Sequence, residues 1–362
     1  MKQIVVIMAG GYGERFWPLS RMNKPKQLQC LVSESQTMLE QTISRVDGIV
    51  DRNDIYIITN ELLSHQMKNK THLMIPTENV IAEPAKKNTG PCLLFVSTIL
   101  KNKYQQLGFE ENQLTIAILA ADHFISDISL YQKSFQQCCT TASMGQGIVT
   151  IGIVPTRPET GYGYIQIGEN LEDALYSTNA FVEKPTVEIA LDYIQKGNFL
   201  WNSGMFFWRL DYFFRELQAV SKELGEYVES FKSANEEKLV DLYANLPDIS
   251  IDYTLMEQAR TVFVHKASFG WDDVGSWNSL LRIRQSNTEG NLVYGNSITI
   301  DTKNSLVLNY SNDTTKVVST LGIEDMIVVC TDDAVLVCNQ QKVQDVKKVI
   351  SEIKSNNLNN LL

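Results

Sequence analysis

Residues 4–8, Ile-Val-Val-Ile-Met, form an unbroken apolar run that stops at Ala9-Gly-Gly-Tyr-Gly13. A run without polar alternation belongs to a strand buried on both faces, and such strands occur where helices cover both sides of a sheet. Ile55–Thr59, Leu114–Ala120 and Gly147–Val154 repeat the pattern. Helical spacing fills the gaps at 37–47, 61–70, 89–103 and 129–142. The alternation predicts an α/β fold with a mostly parallel sheet, whose ligands bind beyond the carboxyl ends of the strands. From 155 to 285 the pattern is less regular. It predicts strands at Tyr162–Ile167, Ala180–Glu183 and Met205–Trp208, and helices near 186–196, 210–220 and 252–259. We read this stretch as the same domain with insertions around a ligand cleft. After Gly290 the texture changes to short β-rich runs up to residue 338, then a charged helical tail from Gln341. These runs suggest stacked or rolled β coils. The polar linker SNTEGNL divides the chain into a catalytic domain of 1–286 and a small C-terminal β-rich domain of 287–362.

Charge narrows the function. With 32 Lys and Arg against 42 Asp and Glu, the net charge is −10. That excludes a surface built to neutralise long nucleic acids. A local exception is residues 15–27, which carry Arg15, Arg21, Lys24 and Lys26 and no acid. A small phosphorylated substrate needs no more than such a cluster. The six cysteines lack metal-ligand spacing and read as reduced, buried, small hydrophobes. No run reaches the roughly 18 apolar residues of a membrane helix, and the N-terminus lacks a signal peptide's pattern. The expectation is a cytoplasmic protein with no membrane and no nucleic-acid partner.

The glycine loop after the first strand is where a phosphate loop belongs. Gly10, Gly11 and Gly13 permit positive φ and close backbone approach. A dinucleotide fingerprint would need glycine at Phe16, and Pro18 follows soon after; the Walker pattern is absent. Both facts disfavour a nicotinamide oxidoreductase or a P-loop enzyme. Lys26 lies between Pro25 and Gln27, and the proline stiffens the backbone around it.

The segment AGGYGERFWPLSRMNKPKQ (Ala9–Gln27) resembles the signature of the sugar-nucleotide pyrophosphorylases, in the form that carries guanylyl groups to mannose 1-phosphate. The resemblance continues through EPAKKNT (83–89), AADH (120–123), GIVPTRPETGYGYI (152–165), FVEKP (181–185), WNSGMF (201–206), SIDY (250–253) and GWDDVGSW (270–277). It implies a Rossmann-like, GT-A-like mixed sheet flanked by helices, with a β-helix-like C-terminal domain. The implied reaction joins GTP and α-D-mannose 1-phosphate, by in-line attack of the sugar phosphate on the GTP α-phosphorus, with Mg²⁺ assisting and pyrophosphate leaving. Such transfers depend on placement and charge neutralisation. By the resemblance, Arg15 and Lys26 are catalytic, and Asp122 and Asp273 hold Mg²⁺. Ala9, Gly10, Gly11, Gly13, Glu83, Pro84, Asn88, Thr89 and Asp122 surround the nucleotide, with Glu83 reading guanine. Gly163, Glu183, Lys184 and Asn202 take the sugar phosphate. Relatives with an added isomerase domain continue past this chain's last residue, so the single-function form is expected.

Read from the residues alone, several of these positions have other uses. Asp122 follows a strand and could serve a turn, and Asn88 could cap the next helix. Glu183 and Lys184 could form a surface salt bridge, and Arg21 and Lys24 could be solvated. Asp272 reads as a bystander and His123 as a neighbour of the metal residue. For function, two alternatives stay open: another hexose 1-phosphate or nucleotide, or a non-catalytic sugar-nucleotide-binding regulatory homologue. The C-terminal apolar runs suit packing against the first domain or a homodimer partner.

Overall fold

The computed structural model describes residues 1–69 and 73–362. The chain forms two compact units, one of residues 1–10, 43–120 and 125–270, the other of 11–42, 121–124 and 271–362. The strands are β1 (Lys2–Met8), β2 (Ile55–Asn60), β3 (Val80–Glu83), β4 (Leu114–Ala120), β5 (Phe124–Ile125), β6 (Ile148–Ile153), β7 (Tyr164–Glu172), β8 (Leu175–Val182) and β9 (Phe199–Arg209). They continue as β10 (Val262–Lys266), β11 (Trp271–Asp272), β12 (Leu292–Tyr294), β13 (Ser297–Lys303), β14 (Leu306–Asn309), β15 (Val318–Glu324), β16 (Met326–Cys330) and β17 (Val335–Asn339).

The first unit is built on a nine-stranded sheet in the order β3-β2-β1-β4-β9-β6-β10-β8-β7. The pairs β3–β2, β2–β1 and β1–β4 are parallel, with Val5 opposite Ile55 and Ala117. This is the part where strand and helix alternate regularly in sequence. β9 then pairs antiparallel with β4, β6 and β7, so the sheet is mixed. Ile4, Val5, Val6 and Ile7 are fully buried, as the unbroken apolar run requires. The helix Thr89–Gln106 packs into a hydrophobic core, with Phe95 edge-on to Tyr243. In the same core Trp208 stacks on Phe213 at 4.6 Å.

The expected strands and helices of the first 150 residues lie within a few residues of their positions. The helix read at 61–70 is Glu61–Lys68, and residue 70 lies outside the described residues. β3 and β10 were not legible in the sequence because each is short and carries polar or part-exposed positions. The helix expected at 252–259 is instead a π-helical turn, Asp252–Met256, closed by Glu257 N–H donating to the Asp252 carbonyl at 2.9 Å. No described helix is long and apolar enough to cross a membrane.

In the second unit β12, β14 and β16 run parallel, with Leu292, Leu306 and Ile327 in register, and β17 closes them antiparallel. β13 and β15 form a separate parallel pair. Successive parallel rungs are the pattern of coiled β structure. The terminal helix Val346–Ser355 buries Val346, Ile350 and Ile353 in the same core. That core also holds Phe16, Trp17, Val274 and Trp277, so residues from the glycine loop share it with the C-terminal strands. The compact units interleave along the chain, with residues 11–42 and 121–124 in the unit that holds the C-terminal strands. One expectation needs correction. All six cysteines are thiols and four are buried, but Cys30 is exposed and Cys338 only partly covered. Cys30 lies just past the short helical turn Lys26–Leu28, where the chain runs along the surface.

Phe213 is completely buried against Trp208. Phe213→Ala should destabilise the chain by about 3–5 kcal/mol, the usual cost of an aromatic-sized cavity. Urea unfolding measures it, and a loss below about 1 kcal/mol would show that this stack does not carry the core.

Candidate active site

The second unit gathers the phosphate and metal candidates. The loop from Gly11 leads through a short helical turn, Glu14–Phe16, into the Lys26–Leu28 turn. Gly13 sits at φ 64°, and a Cβ there would collide with the Cβ of Lys26. Glycine is thus required at this position by both conformation and space. Gln27 is buried and donates to the Gly11 carbonyl at 2.9 Å, which fixes the start of the loop. At Gly10 and Gly11 no neighbour within 4 Å would meet a Cβ.

Lys26 is 5% exposed. Its ammonium lies 2.6 Å from Asp122 Oδ2 and donates to the main-chain carbonyls of Asp273 (3.0 Å) and Val274 (2.8 Å). The two residues expected to share a metal therefore both reach one lysine, Asp122 through its carboxylate and Asp273 through its main-chain carbonyl. Burial alone would push the Asp122 carboxyl up, but Lys26 and His123 outweigh it and hold it below the ordinary carboxylate value. Val274 is a β-branched residue at φ 47°, an uncommon and costly conformation. Two side chains help hold it: Asp272 Oδ1 accepts from Val274 N–H at 2.8 Å, and Asp273 Oδ1 accepts from Gly275 N–H at 3.0 Å. Asp272 is buried and also pairs with Arg282 at 2.7 Å, which gives it a structural use. His123 Nδ1 accepts from the Trp271 indole at 3.2 Å.

Arg15 donates one N–H to the Gly275 carbonyl at 3.3 Å. Its Nε is buried with no hydrogen-bond partner among the described residues. A buried donor left open is costly, and this one belongs to a cationic group. Arg21 has a different role from the cationic cluster read in the sequence. It pairs with Asp333 at 2.8 Å, bonds the Leu361 carbonyl and lies over the Trp17 ring. Lys24 is exposed.

The first unit gathers the sugar candidates. Glu183 and Lys184 lie just past β8. Lys184 Nζ is 2.6 Å from Glu183 Oε2, with the carboxylate side chain 5% exposed and the lysine 58% exposed. Lys184 also adopts positive φ, 46°, uncommon for a non-glycine residue. Burial lowers the Lys184 ammonium, but Glu183 and Asp252 outweigh it and raise it above its ordinary value. A Cβ at Gly163 would collide with Glu183, and the Gly163 carbonyl accepts from Asn202 N–H at 2.8 Å. The Asn202 amide donates to Asp252 Oδ1 at 3.1 Å and accepts from Gly204 N–H at 3.0 Å.

The same unit holds the remaining nucleotide candidates, and several are engaged within the chain. Ala9 N–H donates to the Ile58 carbonyl and its carbonyl accepts from Thr59, each at 2.8 Å. Its backbone serves the sheet. Asn88 caps the helix Thr89–Gln106, accepting from Thr89 N–H at 2.9 Å, and Thr89 Oγ1 accepts from Ile251 N–H at 2.8 Å. Glu83 accepts from the Tyr243 hydroxyl and, at 3.3 Å, from Lys87 N–H. Burial raises the Glu83 carboxyl against the pull of those bonds. Pro84 is exposed.

The nucleotidyl transferase family profile matches residues 4–290, and the MannoseP isomerase/GMP-like beta-helix domain profile matches 295–353. The chain is 38% identical to the mannose-1-phosphate guanylyltransferase of Escherichia coli K12, over 97% of its own length and 73% of that protein. The chain belongs to the mannose-1-phosphate guanylyltransferase family. A putative member from Vibrio cholerae is 37% identical over 98% of this chain and 75% of its own. Among solved structures, a Thermus thermophilus protein described as mannose-1-phosphate geranyltransferase superposes with a TM-score of 0.86 at 32% identity, covering 98% of this chain and all of its own. A Helicobacter pylori mannose-6-phosphate isomerase, 22% identical with a TM-score of 0.59, shares the fold over 75% of this chain.

For this guanylyltransferase-family chain, one residue near the sugar candidates carries no role in the sequence reading: Asp252, visible only as part of SIDY. Burial and the nearby Glu183 push its carboxyl up to about 6, against Lys184 and the Asn202 bond. In the unfolded chain an aspartate titrates near ~4. The folded state thus binds this proton more tightly, and the stabilisation is whole below about pH 4 and lost as pH rises past about 6. Asp252→Asn should therefore gain stability relative to wild type at about pH 8 and gain less at about pH 4.5, measured by urea midpoints. An equal change at both pH values would contradict the assignment.

Proposed function

We propose that this chain forms GDP-mannose and pyrophosphate from GTP and α-D-mannose 1-phosphate. The observation that carries the reading is the meeting of Asp122, Asp273 and the glycine-loop lysine, Lys26, within one unit. The donor set suits a hard divalent cation, Mg²⁺, because both candidate ligands are carboxylates. Among the described residues no group of three or more His, Cys, Asp or Glu could hold a metal by itself. Phosphate oxygens and water would complete the shell, as magnesium sites of this kind require. When bound, the cation would neutralise charge on the reacting phosphates.

The protein's own groups supply the rest. Arg15 has a buried, open donor for a phosphate oxygen. Glu183 can accept from sugar hydroxyls while Lys184, largely exposed at its tip, meets the sugar phosphate. Asn202 is held by Asp252 and Gly204, so it presents a fixed amide. The attacking phosphate is already anionic, so no general base is needed, and catalysis rests on placement and charge. Glu83 and the backbone near Ala9–Gly10 are our assignment for the guanine end, with Gly10 the open member since the Ala9 N–H and carbonyl are both taken by the sheet. The sequence features that accompany this function suit a cytoplasmic enzyme. We assign it a homodimer, since Ile300 and Leu321 pair across β13 and β15 with both side chains exposed, beside exposed Ile298. Sedimentation velocity should return twice the chain mass, and Leu321→Glu should return the monomer.

Incubating the chain with GTP, mannose 1-phosphate and Mg²⁺ should release pyrophosphate. Absence of release at micromolar enzyme would sink the proposal and leave the regulatory homologue. A panel of nucleotides and hexose 1-phosphates separates the alternative substrate pairs. Asp273→Ala should lose most of kcat with an unchanged circular dichroism spectrum, and near wild-type turnover would remove Asp273 from the mechanism.

A further inference from the structure

The Lys26 ammonium has three N–H donors and no acceptor capacity. All three are matched inside the second unit: Asp122 Oδ2 at 2.6 Å, the Asp273 carbonyl at 3.0 Å and the Val274 carbonyl at 2.8 Å. The group is 5% exposed, and the Phe16 ring lies 5.7 Å from the nitrogen. A lysine so bonded cannot also bind a phosphate without giving up one of these acceptors. The resemblance expected a lysine aimed at substrate, whereas this one is spent on the residues expected to hold the metal.

We propose that Lys26 is a built-in counter-ion of the metal position: its ammonium and the divalent cation compete for Asp122. This rests on the reading that Asp122 and Asp273 hold the cation. Three features support the competition. An ammonium and a small divalent cation want the same partner, an oxygen anion, and two cations on one carboxylate repel in a half-buried setting. The acceptors come from both acid-bearing segments, so the lysine holds Asp122 and the 273–274 turn together before metal arrives. Val274 would not keep φ 47° without support from its surroundings, and its carbonyl is one of the three acceptors. Once the cation takes Asp122, one Lys26 donor is released and can turn to the nucleotide phosphates. Metal loading and arming of the lysine are then one event.

The test is Mn²⁺ affinity of the nucleotide-free enzyme, read by electron paramagnetic resonance. Lys26→Met removes the charge with a side chain one atom shorter, and Lys26→Gln keeps a donor for the carbonyls as a safeguard for folding. Either variant should bind Mn²⁺ about tenfold more tightly than wild type, and Asp273→Asn should bind it more weakly. A second readout uses the wild-type chain. Amine-reactive labelling followed by mass spectrometry should find Lys26 protected without metal and labelled faster with millimolar Mg²⁺. Unchanged or weaker Mn²⁺ binding in the folded lysine variants, or unchanged Lys26 labelling, would overturn the competition while leaving the metal assignment in place. No Mn²⁺ binding by wild type, or wild-type affinity in Asp273→Asn, would instead overturn the metal assignment and this inference with it.

Discussion

A buried ammonium must find an acceptor for each of its protons, and in this chain that demand organises the second unit. Lys26 draws on residues 122, 273 and 274, more than two hundred positions apart at the extremes. Around it the other choices become forced. Gly13 must lack a side chain because Lys26 passes beside it. Asp272 must turn inward to Arg282 and the Val274 N–H, since the turn that presents the two carbonyls depends on it. Phe16 and Trp277 pack 4.9 Å apart and fasten the glycine loop to the helix that follows the 273–275 turn. The sequence places a glycine loop, two acids and an aromatic helix far apart, and one cation gives them a common reason to meet.

The first unit solves a different problem. Its sugar candidates are mutually bonded polar groups rather than a knot around one charge. Glu183 neutralises Lys184, while Asn202 is pinned between Asp252 and the backbone. Asp252 and Glu183 are like charges, and their proximity raises the Asp252 carboxyl. Strain is stored at the candidate Lys184 and at Val274, the neighbour of candidate Asp273, one in each unit.

Much of this was readable from residue order. Unbroken apolar runs gave the parallel strands because full burial leaves no room for polar alternation, and the motif string gave the family. Other features were hidden for definable reasons. β10 carries His265 and Lys266 in a five-residue strand, too short for periodicity to speak. Arg21 looks like its neighbours Lys24 and Lys26 in sequence, but its partner, Asp333, lies 312 positions away. Asn88 and Ala9 sit in motif segments, yet one caps a helix and the other completes a sheet, because a motif marks a region and local backbone demand decides each residue within it. Asp252 was invisible as chemistry because its raised carboxyl comes in part from Glu183, a residue of another segment.

The contacts of Trp17 and Arg21 with Leu361 concern time as well as space. The Trp17 indole donates to the Leu361 carbonyl across 344 positions, and Arg21 reaches the same carbonyl across 340. A ribosome adds about 5–20 residues per second, so the glycine loop waits roughly 20–70 s for these bonds to Leu361. A segment near the start of the chain is thus completed by one more than three hundred positions later. During synthesis the parallel strands can assemble while the loop still lacks its closing bonds.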